Sequence, residues 1–280
     1  MKGFAGVFLA VAAFATPAAA ADELWVADGF DMPESAVVDP ARGRIILSVI
    51  GGDPTAADGN GGLVLLSSDG AVLDANWTTG LDAPKGLAIV DDVLLVADLT
   101  RLHEVDLTSG EVLRSIEVED AVFLNDITSD GKGAFVSDMM AHSLWRYEDG
   151  EMTLWLQDAR LSHPNGVYWD RDRLLVGSWG EGIAADFTTE VPGSLLAIDP
   201  ETQAIRVVVP ELGNLDGITR AGDALLVNDW ITGALFEIGA DGTASVVDTF
   251  APGLADISSD GNVLHLPMML EGRLVAKAYP

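Results

Sequence analysis

The stretch PKGLAIVDDVLLVAD, residues 84–98, decides the fold of this 280-residue chain. It contains two short apolar runs separated by the turn residues Asp91 and Asp92, a pattern typical of two paired β-strands. Related stretches begin at Pro33, Leu124, Pro164, Leu215 and Leu254. The second residue of each stretch recurs at spacings of 51, 40, 40, 51 and 39 residues, which is the period of a β-propeller blade. The sequence therefore predicts an all-β fold, a six-bladed β-propeller.

Each repeat has room for four antiparallel strands. In the third repeat the apolar runs and Asp-Gly turns predict strands at residues 123–128, 134–138, 143–147 and 152–157. The last repeat, residues 254–279, supplies only three strands, whereas residues 24–30 form a strand pattern without a blade of their own. We expect this N-terminal strand to complete the last blade and close the propeller.

The N-terminus predicts export. Residues 1–20 contain Lys2, an apolar stretch and a final Ala18-Ala19-Ala20, the features of a secretory signal peptide. The expected mature chain, residues 21–280, is then one propeller domain in the periplasm or outside the cell. No later segment is apolar over the roughly 20 residues that a membrane span requires.

Composition limits the partners and the chemistry. The chain has 44 acidic and 15 basic residues and a formal net charge of −29. Such a surface repels phosphate backbones, so nucleic acid is not an expected partner. The chain has no cysteine, which excludes disulfides, thiolate catalysis and cysteine-bound metals. We expect a small-molecule substrate or ligand, and the sequence identifies no protein partner.

The second residue of each repeat predicts a binding site. The innermost strands of a propeller line its central channel, so these residues should form a ring at one depth, here called the polar ring: Glu34, Lys85, Asn125, Asn165, Asp216 and Ala255. Partly buried charges need partners, so this ring indicates a bound ligand. Glu, Asn and Asp offer only oxygen donors. They favour a hard divalent cation, calcium first, with magnesium, manganese or zinc as further candidates.

Two insertions and a second set of residues are expected on the same face. The spacings of 51 place about 11 additional residues in 51–62 and in 179–193, after the second strands of the first and fourth repeats. Long loops on one face of a rigid scaffold usually cover a site. The second set forms an expected substrate rim: Asp126, Asp138, Trp179, Asp229, Trp230 and Met268, with Met139 and Met269 beside them. An apolar rim suits a small organic ligand. In the alternative, the strand-ending aspartates cap turns.

The polar ring resembles that of a known family, the six-bladed propellers of regucalcin, gluconolactonase and luciferin-regenerating enzyme, with paraoxonases as distant relatives. The resemblance rests on Glu34 in PESAVVD, Asn165 in PNGVYWD, Asp216 in LDGI and the pair Asn125-Asp126 in LNDI. It implies that Glu34, Asn165 and Asp216 hold a divalent metal and that the protein hydrolyses lactones or related esters. It also implies that Asp216 acts as the base and that Asn125 orients the substrate.

Lys85 departs from the family pattern, in which a small or neutral residue is expected at the second-blade position of the ring. An ammonium close to a divalent ion is repelled by it. Three alternatives follow. Its side chain swings away when the metal enters, or it replaces the metal by pairing with Glu34 and Asp216, or it donates to the carbonyl oxygen of a substrate as a third catalytic residue. The second alternative corresponds to a different function, a non-catalytic propeller that binds a small molecule or a protein.

The histidines and serines indicate no other chemistry. His163 lies close to the expected mouth of the polar ring, where it is a candidate for proton transfer, with a local hydrogen bond in a turn as the alternative. The sequence contains no Gly-x-Ser-x-Gly motif, so a serine hydrolase is not indicated.

Overall fold

The computed structural model of the chain describes residues 23–280, and the expected signal peptide, residues 1–20, lies outside them. The described chain forms 25 strands in six antiparallel sheets, together with two single-turn 3-10 helices at Ala159–Leu161 and Met269–Glu271. Within residues 23–280, no helix has the length and apolar character needed to cross a bilayer. The predicted six-bladed propeller is confirmed.

Each sheet is one blade, and in the first, second, third and fifth blades the strands follow chain order from the central channel outward. The first blade contains β2 (Pro33–Asp39), β3 (Arg44–Val49), β4 (Gly61–Ser67) and β5 (Val72–Leu81). The second contains β6 (Pro84–Val90), β7 (Val93–Asp98), β8 (Arg101–Asp106) and β9 (Val112–Glu117). The third contains β10 (Leu124–Ser129), β11 (Ala134–Asp138), β12 (Ser143–Glu148) and β13 (Glu151–Gln157).

The other three blades repeat this plan with local differences. The fourth contains β14 (Pro164–Asp170), β15 (Arg173–Ser178), β16 (Gly180–Glu181), β17 (Val191–Ile198) and β18 (Ile205–Gly213). The fifth contains β19 (Leu215–Ala221), β20 (Ala224–Asp229), β21 (Ala234–Ile238) and β22 (Ala244–Thr249). The sixth contains β23 (Ser258–Asp260), β24 (Val263–Met268), β25 (Arg273–Ala278) and the N-terminal β1 (Glu23–Asp28).

The N-terminal strand closes the propeller as predicted. Strand β1 pairs antiparallel with β25, with Val26 opposite Val275, and so occupies the outer edge of the last blade. This pairing satisfies the edge of β25 and joins the two ends of the chain.

The fourth blade has one strand more than expected. The insertion after β15 begins with the two-residue β16, in which Gly180 pairs with Pro192 of β17. The insertion therefore folds back on its own blade.

The core lies between blades. In β7, Leu94 and Val96 pack against the first blade, whereas Leu95 and Ala97 pack against the third. All four side chains are fully buried, because sheets pack on both faces of this strand. A strand in such a position has a continuous apolar sequence. Burial of one such leucine contributes about 1.5–3 kcal/mol. Equivalent clusters fill the other interfaces and hold the six inner strands around the channel.

The inner strands share one irregularity at the polar ring. In five blades the pairing between the first and second strands shifts by one residue directly after the strand's first residue, at 33/36, 84/87, 124/127, 164/167 and 215/218. Such a β-bulge puts two residues opposite one and redirects side chains. Consequently Glu34 and Asn125 face one end of the channel, whereas their successors Ser35 and Asp126 face the other end.

Candidate functional site

The polar ring assembles as the sequence predicts, at the bottom of a cavity. Glu34, Lys85, Asn125, Asn165 and Asp216 all line this cavity. Their exposed fractions lie between 2% and 6%, so each side chain needs partners inside the protein or in a ligand. The sixth member, Ala255, is buried in the apolar cluster next to the cavity.

Serine hydroxyls hold the bulges in place. The bulge leaves the N–H of Ser35 and of Asp126 without a partner in the ladder, and the hydroxyls of Ser48 and Ser137 accept them at 3.0 and 2.9 Å. The same hydroxyls donate to carbonyl oxygens of the next blade, Ser48 to Lys85 at 2.8 Å and Ser137 to Asn165 at 2.6 Å. Each serine thus links the bulge of one blade to the ring residue of the next blade.

A glycine lets the fourth and fifth blades approach at the channel. A Cβ added at Gly166, directly after Asn165, would lie 1.6 Å from the carbonyl oxygen of Asp216. No side chain fits there, so the glycine brings Asn165 and Asp216 together.

The polar ring contains a set of buried oxygen atoms that have no hydrogen-bond partner. They are Oε2 of Glu34, Oδ1 of Asn125, Oδ1 of Asn165 and Oδ1 of Asp216. Buried polar atoms are almost always paired, and a cation would satisfy these four oxygen atoms together. Two carboxylates and two amides form an all-oxygen donor set that fits calcium. Among residues 23–280 no cluster of three or more His, Cys, Asp or Glu has metal-binding geometry, and two of the four oxygen atoms here belong to asparagine amides.

The carboxylates of the channel raise one another's pKa values. Burial, followed by the charges of Asp216 and Asp256, raises the pKa of Glu34 well above its ordinary value. Burial and the charge of Asp256 do the same to the pKa of Asp216, and Asn165 partly opposes this. Since like charges in a low-dielectric site disfavour ionisation, a cation here would stabilise both ionised carboxylates.

Lys85 forms hydrogen bonds elsewhere and not with these oxygen atoms. Its ammonium donates to the carbonyl oxygens of Ala83 at 2.8 Å and Pro54 at 3.2 Å. Among residues 23–280 it forms no ion pair with a carboxylate. Burial lowers the pKa of Lys85 to about 8, against the opposing effect of Glu34. The side chain therefore joins the first insertion, through Pro54, to the edge of the polar ring.

The cavity above the polar ring has a volume of about 190 Å³. Its sides are formed by apolar side chains, here called the apolar wall: Met32, Ile50, Pro54, Phe123, Met139, Trp179, Phe187, Trp230, Met269 and Leu270. The two tryptophan rings lie 6.0 Å apart. A polar floor below apolar sides is the usual form of a small-molecule site.

Both insertions reach this cavity, as predicted from their position. Pro54 comes from the first insertion and Phe187 from the second. The indole N–H of Trp179 donates to the carbonyl oxygen of Phe187 at 2.8 Å, which fixes the second insertion over the site.

The expected substrate rim divides in the structure. Trp179 and Trp230 line the cavity. Asp138 is fully buried, and its carboxylate accepts the N–H groups of Val122 and Phe123 at 2.9 and 2.8 Å. Asp229 accepts the N–H groups at positions 231 and 232 of the following turn. Both aspartates lie outside the cavity lining. Asp229 caps the following turn, the alternative that the sequence left open, whereas Asp138 binds the backbone that precedes β10.

Met268 and Asp126 also lie away from the cavity. Met268 packs in the core between the fifth and sixth blades, and its neighbour Met269 lines the cavity instead. Asp126 faces the opposite end of the channel, where its carboxylate accepts the N–H groups of Ile127 at 2.6 Å and Val167 at 2.7 Å. The structure therefore brings together the polar ring with Trp179 and Trp230, and separates the other four rim residues from it.

None of the four histidines lines the cavity. His163 packs against His142 with 4.2 Å between ring centres, and its Nδ1 lies 2.7 Å from the carbonyl oxygen of Gly180. The structure places it in the local hydrogen bond that was the alternative to proton transfer.

Sequence reasoning missed much of the apolar wall. Met32 and Phe123 each stand two positions before a ring residue, and Pro54 and Phe187 lie in the two insertions. For Pro54 and Phe187 the sequence did contain a signal. Both insertions were expected to cover the polar ring, and the apolar residues of a covering loop can face the site.

No protein-family model matches the sequence, and no curated protein is significantly similar to it. The fold is shared with solved structures. A gluconolactonase from Xanthomonas campestris superposes with a TM-score of 0.68 and 16% identity, over 91% of this chain and 88% of that one. A catalytically inactive histidine-to-alanine variant of virginiamycin B lyase from Staphylococcus aureus, solved with quinupristin, gives 0.60 and 13%, over 91% and 99%.

A chain of the nidogen–laminin complex gives a TM-score of 0.56 and 16% identity, over 80% of this chain and 81% of that one. At such low identities the likeness establishes the fold. The predicted propeller fold is confirmed, and that fold is shared by a gluconolactonase, a lyase and a chain of a protein complex.

Proposed function

We propose that the protein is a divalent-metal-dependent hydrolase of lactones or related esters. The observation that carries this proposal is the set of four unpartnered oxygen atoms on Glu34, Asn125, Asn165 and Asp216, gathered at the floor of the cavity. Such a set stabilises a cation and leaves the cavity side of that cation open for a substrate.

Glu34, Asn165 and Asp216 would hold the ion, and the all-oxygen donors favour Ca²⁺ over softer metals. A divalent cation at this place supplies Lewis-acid polarisation of an ester carbonyl and a lowered pKa of bound water.

The side chains around this position have separate tasks. Besides holding the ion, Asp216 is assigned as the acceptor of a proton from the attacking water. The Asn125 side chain orients the substrate carbonyl. Lys85 donates to Ala83 and Pro54, so we assign it an electrostatic effect on the floor instead of a hydrogen bond to the substrate.

Two other functions receive less support. A non-catalytic propeller with Lys85 in place of the metal requires an ion pair with Glu34 or Asp216, and the contacts of Lys85 in residues 23–280 do not include one. The lyase neighbour is inactive without one of its histidines, and no histidine of residues 23–280 lines this cavity. Hydrolysis is the chemistry that the present side chains support best.

The proposal is tested by calorimetric titration of the mature protein with Ca²⁺. We expect one ion per chain, with affinity reduced at least about tenfold in Glu34→Gln, since ligand charge sets the affinity of oxygen sites. Glu151→Gln, on the exposed start of β13, is the matched control and should bind normally. The calcium-loaded protein is then assayed by pH-stat on a panel of lactones. Equal affinity in both variants would exclude the polar ring as the metal site.

We also propose that the protein is exported, on the basis of residues 1–20 alone. Mass spectrometry of the protein recovered from the periplasm or medium should give an N-terminus near Ala21, and retention of Met1 in the cytoplasm would contradict it.

A further inference from the structure

We infer that the site takes a neutral, compact lactone or ester with an alkyl or aryl substituent and few hydroxyl groups. This substrate class rests on the proposed hydrolase function. It follows from the division of the cavity into a polar floor and an apolar wall.

The wall lacks the partners that hydroxyl groups need. Its polar side-chain atoms are the indole nitrogens of Trp179 and Trp230. The N–H of Trp179 is already donated to the carbonyl oxygen of Phe187, so Trp230 carries the remaining side-chain donor. A sugar lactone carries hydroxyl groups on most carbons of its ring, and those that face the wall would lose their hydrogen bonds to water. Alkyl and aryl groups lose nothing and gain apolar contact.

The charge of the surface disfavours an anionic substrate, and the lining of the cavity offers no free cationic side chain to bind one. Glu34 and Asp216 face the cavity, and the donors of the only ammonium among its lining residues, Lys85, go to Ala83 and Pro54. The chain as a whole has a net charge of −29, so an approaching anion is repelled over long distances as well. A neutral ester is not repelled by this negative charge and needs no cationic partner.

The size and composition of the wall point to a small and variable substituent. The cavity of about 190 Å³ is smaller than the roughly 300–1,000 Å³ of sites for drug-sized ligands. Met32, Met139 and Met269 contribute three flexible thioether side chains, which adapt to differently shaped apolar groups. We therefore expect short alkyl and aryl substituents to be accepted alike.

The test compares δ-octalactone with glucono-δ-lactone, which share a six-membered lactone ring and differ in an alkyl chain against hydroxyl groups. We expect kcat/KM of the calcium-loaded protein to be about 100-fold or more higher for δ-octalactone. Binding is measured separately by calorimetry with 2-propylcyclohexanone, which cannot hydrolyse. Trp230→Ala should raise KM for δ-octalactone about tenfold and leave Ca²⁺ binding unchanged. Trp230→Phe should keep most of the activity, and Leu154→Ala, on the exposed face of β13, serves as the control outside the cavity.

The outcomes separate this inference from the hydrolase proposal. Equal or faster turnover of glucono-δ-lactone overturns the inference and leaves the hydrolase intact. If neither lactone is hydrolysed, while 2-propylcyclohexanone binds the wild type and not Trp230→Ala, the apolar specificity stands and the hydrolase proposal fails. If the ketone does not bind the wild type, the inference is overturned.

Discussion

The ammonium of Lys85 lies 4.5 Å from the ring centre of Phe123, a cation–π contact between the second and third blades. Together with the carbonyl oxygens of Ala83 and Pro54, this contact surrounds the charge with partners at the edge of the polar ring. A buried lysine thus has close partners without a direct ion pair to a carboxylate. The one ammonium of the ring thus has partners of its own, and the four unpartnered oxygen atoms are not among them.

Replacement of Lys85 should strengthen cation binding. Lys85→Met keeps the length and apolar contact of the side chain and removes its charge, so the repulsion of a divalent ion is lost. We expect Ca²⁺ affinity, measured by calorimetry, to increase by about tenfold or more. Lys132→Met, in an exposed turn of the third blade, controls for the change in net charge. Weaker binding in Lys85→Met would mean that the ammonium supports the site instead of opposing it.

Asp138 and Asp229 should differ in their response to the same substitution. The two carboxylate oxygens of Asp138 each accept one backbone N–H, and an asparagine amide would bring a donor against one of them. Oδ1 alone of Asp229 accepts both of its backbone N–H groups, an arrangement that asparagine can keep. In urea denaturation we expect Asp138→Asn to lower the free energy of unfolding by about 1–3 kcal/mol and Asp229→Asn by less. A loss of turnover at full stability in Asp138→Asn would instead restore its role in the rim.

Gly166 should tolerate no side chain. Gly166→Ala would place a Cβ against the carbonyl oxygen of Asp216, and the inner strands of the fourth and fifth blades would have to separate. We expect a loss of about 3 kcal/mol or more, or failure to fold, measured by urea denaturation and circular dichroism.

The matched control for this substitution is Gly29→Ala. Gly29 has a φ of +89° and no atom within 4 Å of the added Cβ, so it should lose only about 1 kcal/mol through backbone strain. Equal losses in the two variants would show that the approach of the blades is not limiting.

His265 should make stability depend on pH. Burial lowers the pKa of His265 from its ordinary value of 6.5 to about 4, and its Nδ1 has no hydrogen-bond partner. Between these values the unfolded chain binds a proton and the folded chain does not. The contribution of His265 is therefore complete above pH 6.5 and is lost as the pH falls towards 4.

The measurement is the difference in unfolding free energy between wild type and His265→Leu, followed from pH 7 to pH 4. Taking this difference cancels the pH dependence that the carboxylates of the channel contribute, because both proteins contain them. We expect the wild type to lose up to about 3 kcal/mol relative to the variant over this range. A difference independent of pH would show that His265 titrates normally in the folded protein.

The rim shows what could not be predicted from the sequence, namely which of its side chains face the cavity. A strand-ending aspartate at a fixed distance from a ring residue looks the same whether it caps a turn or faces a ligand. The direction of its side chain is set by which backbone N–H groups come close, and for Asp138 these belong to residues 122 and 123. Likewise Met268 and Met269 are neighbours in sequence, but only Met269 faces the cavity.

The sequence by itself determined the number of blades, their four strands, the closure by β1, the members of the polar ring and the face covered by the two insertions. These features depend on local patterns in the sequence. Apolar runs and turn residues within one repeat predict its strands, and the recurrence of the repeat along the chain predicts the blades. Tertiary structure alone decided that Lys85 contacts Phe123, that serines join the bulges of neighbouring blades, and that Met32 and Phe123 complete the apolar wall. Each of these depends on atoms from different blades, whose positions are set only when all six pack around one axis.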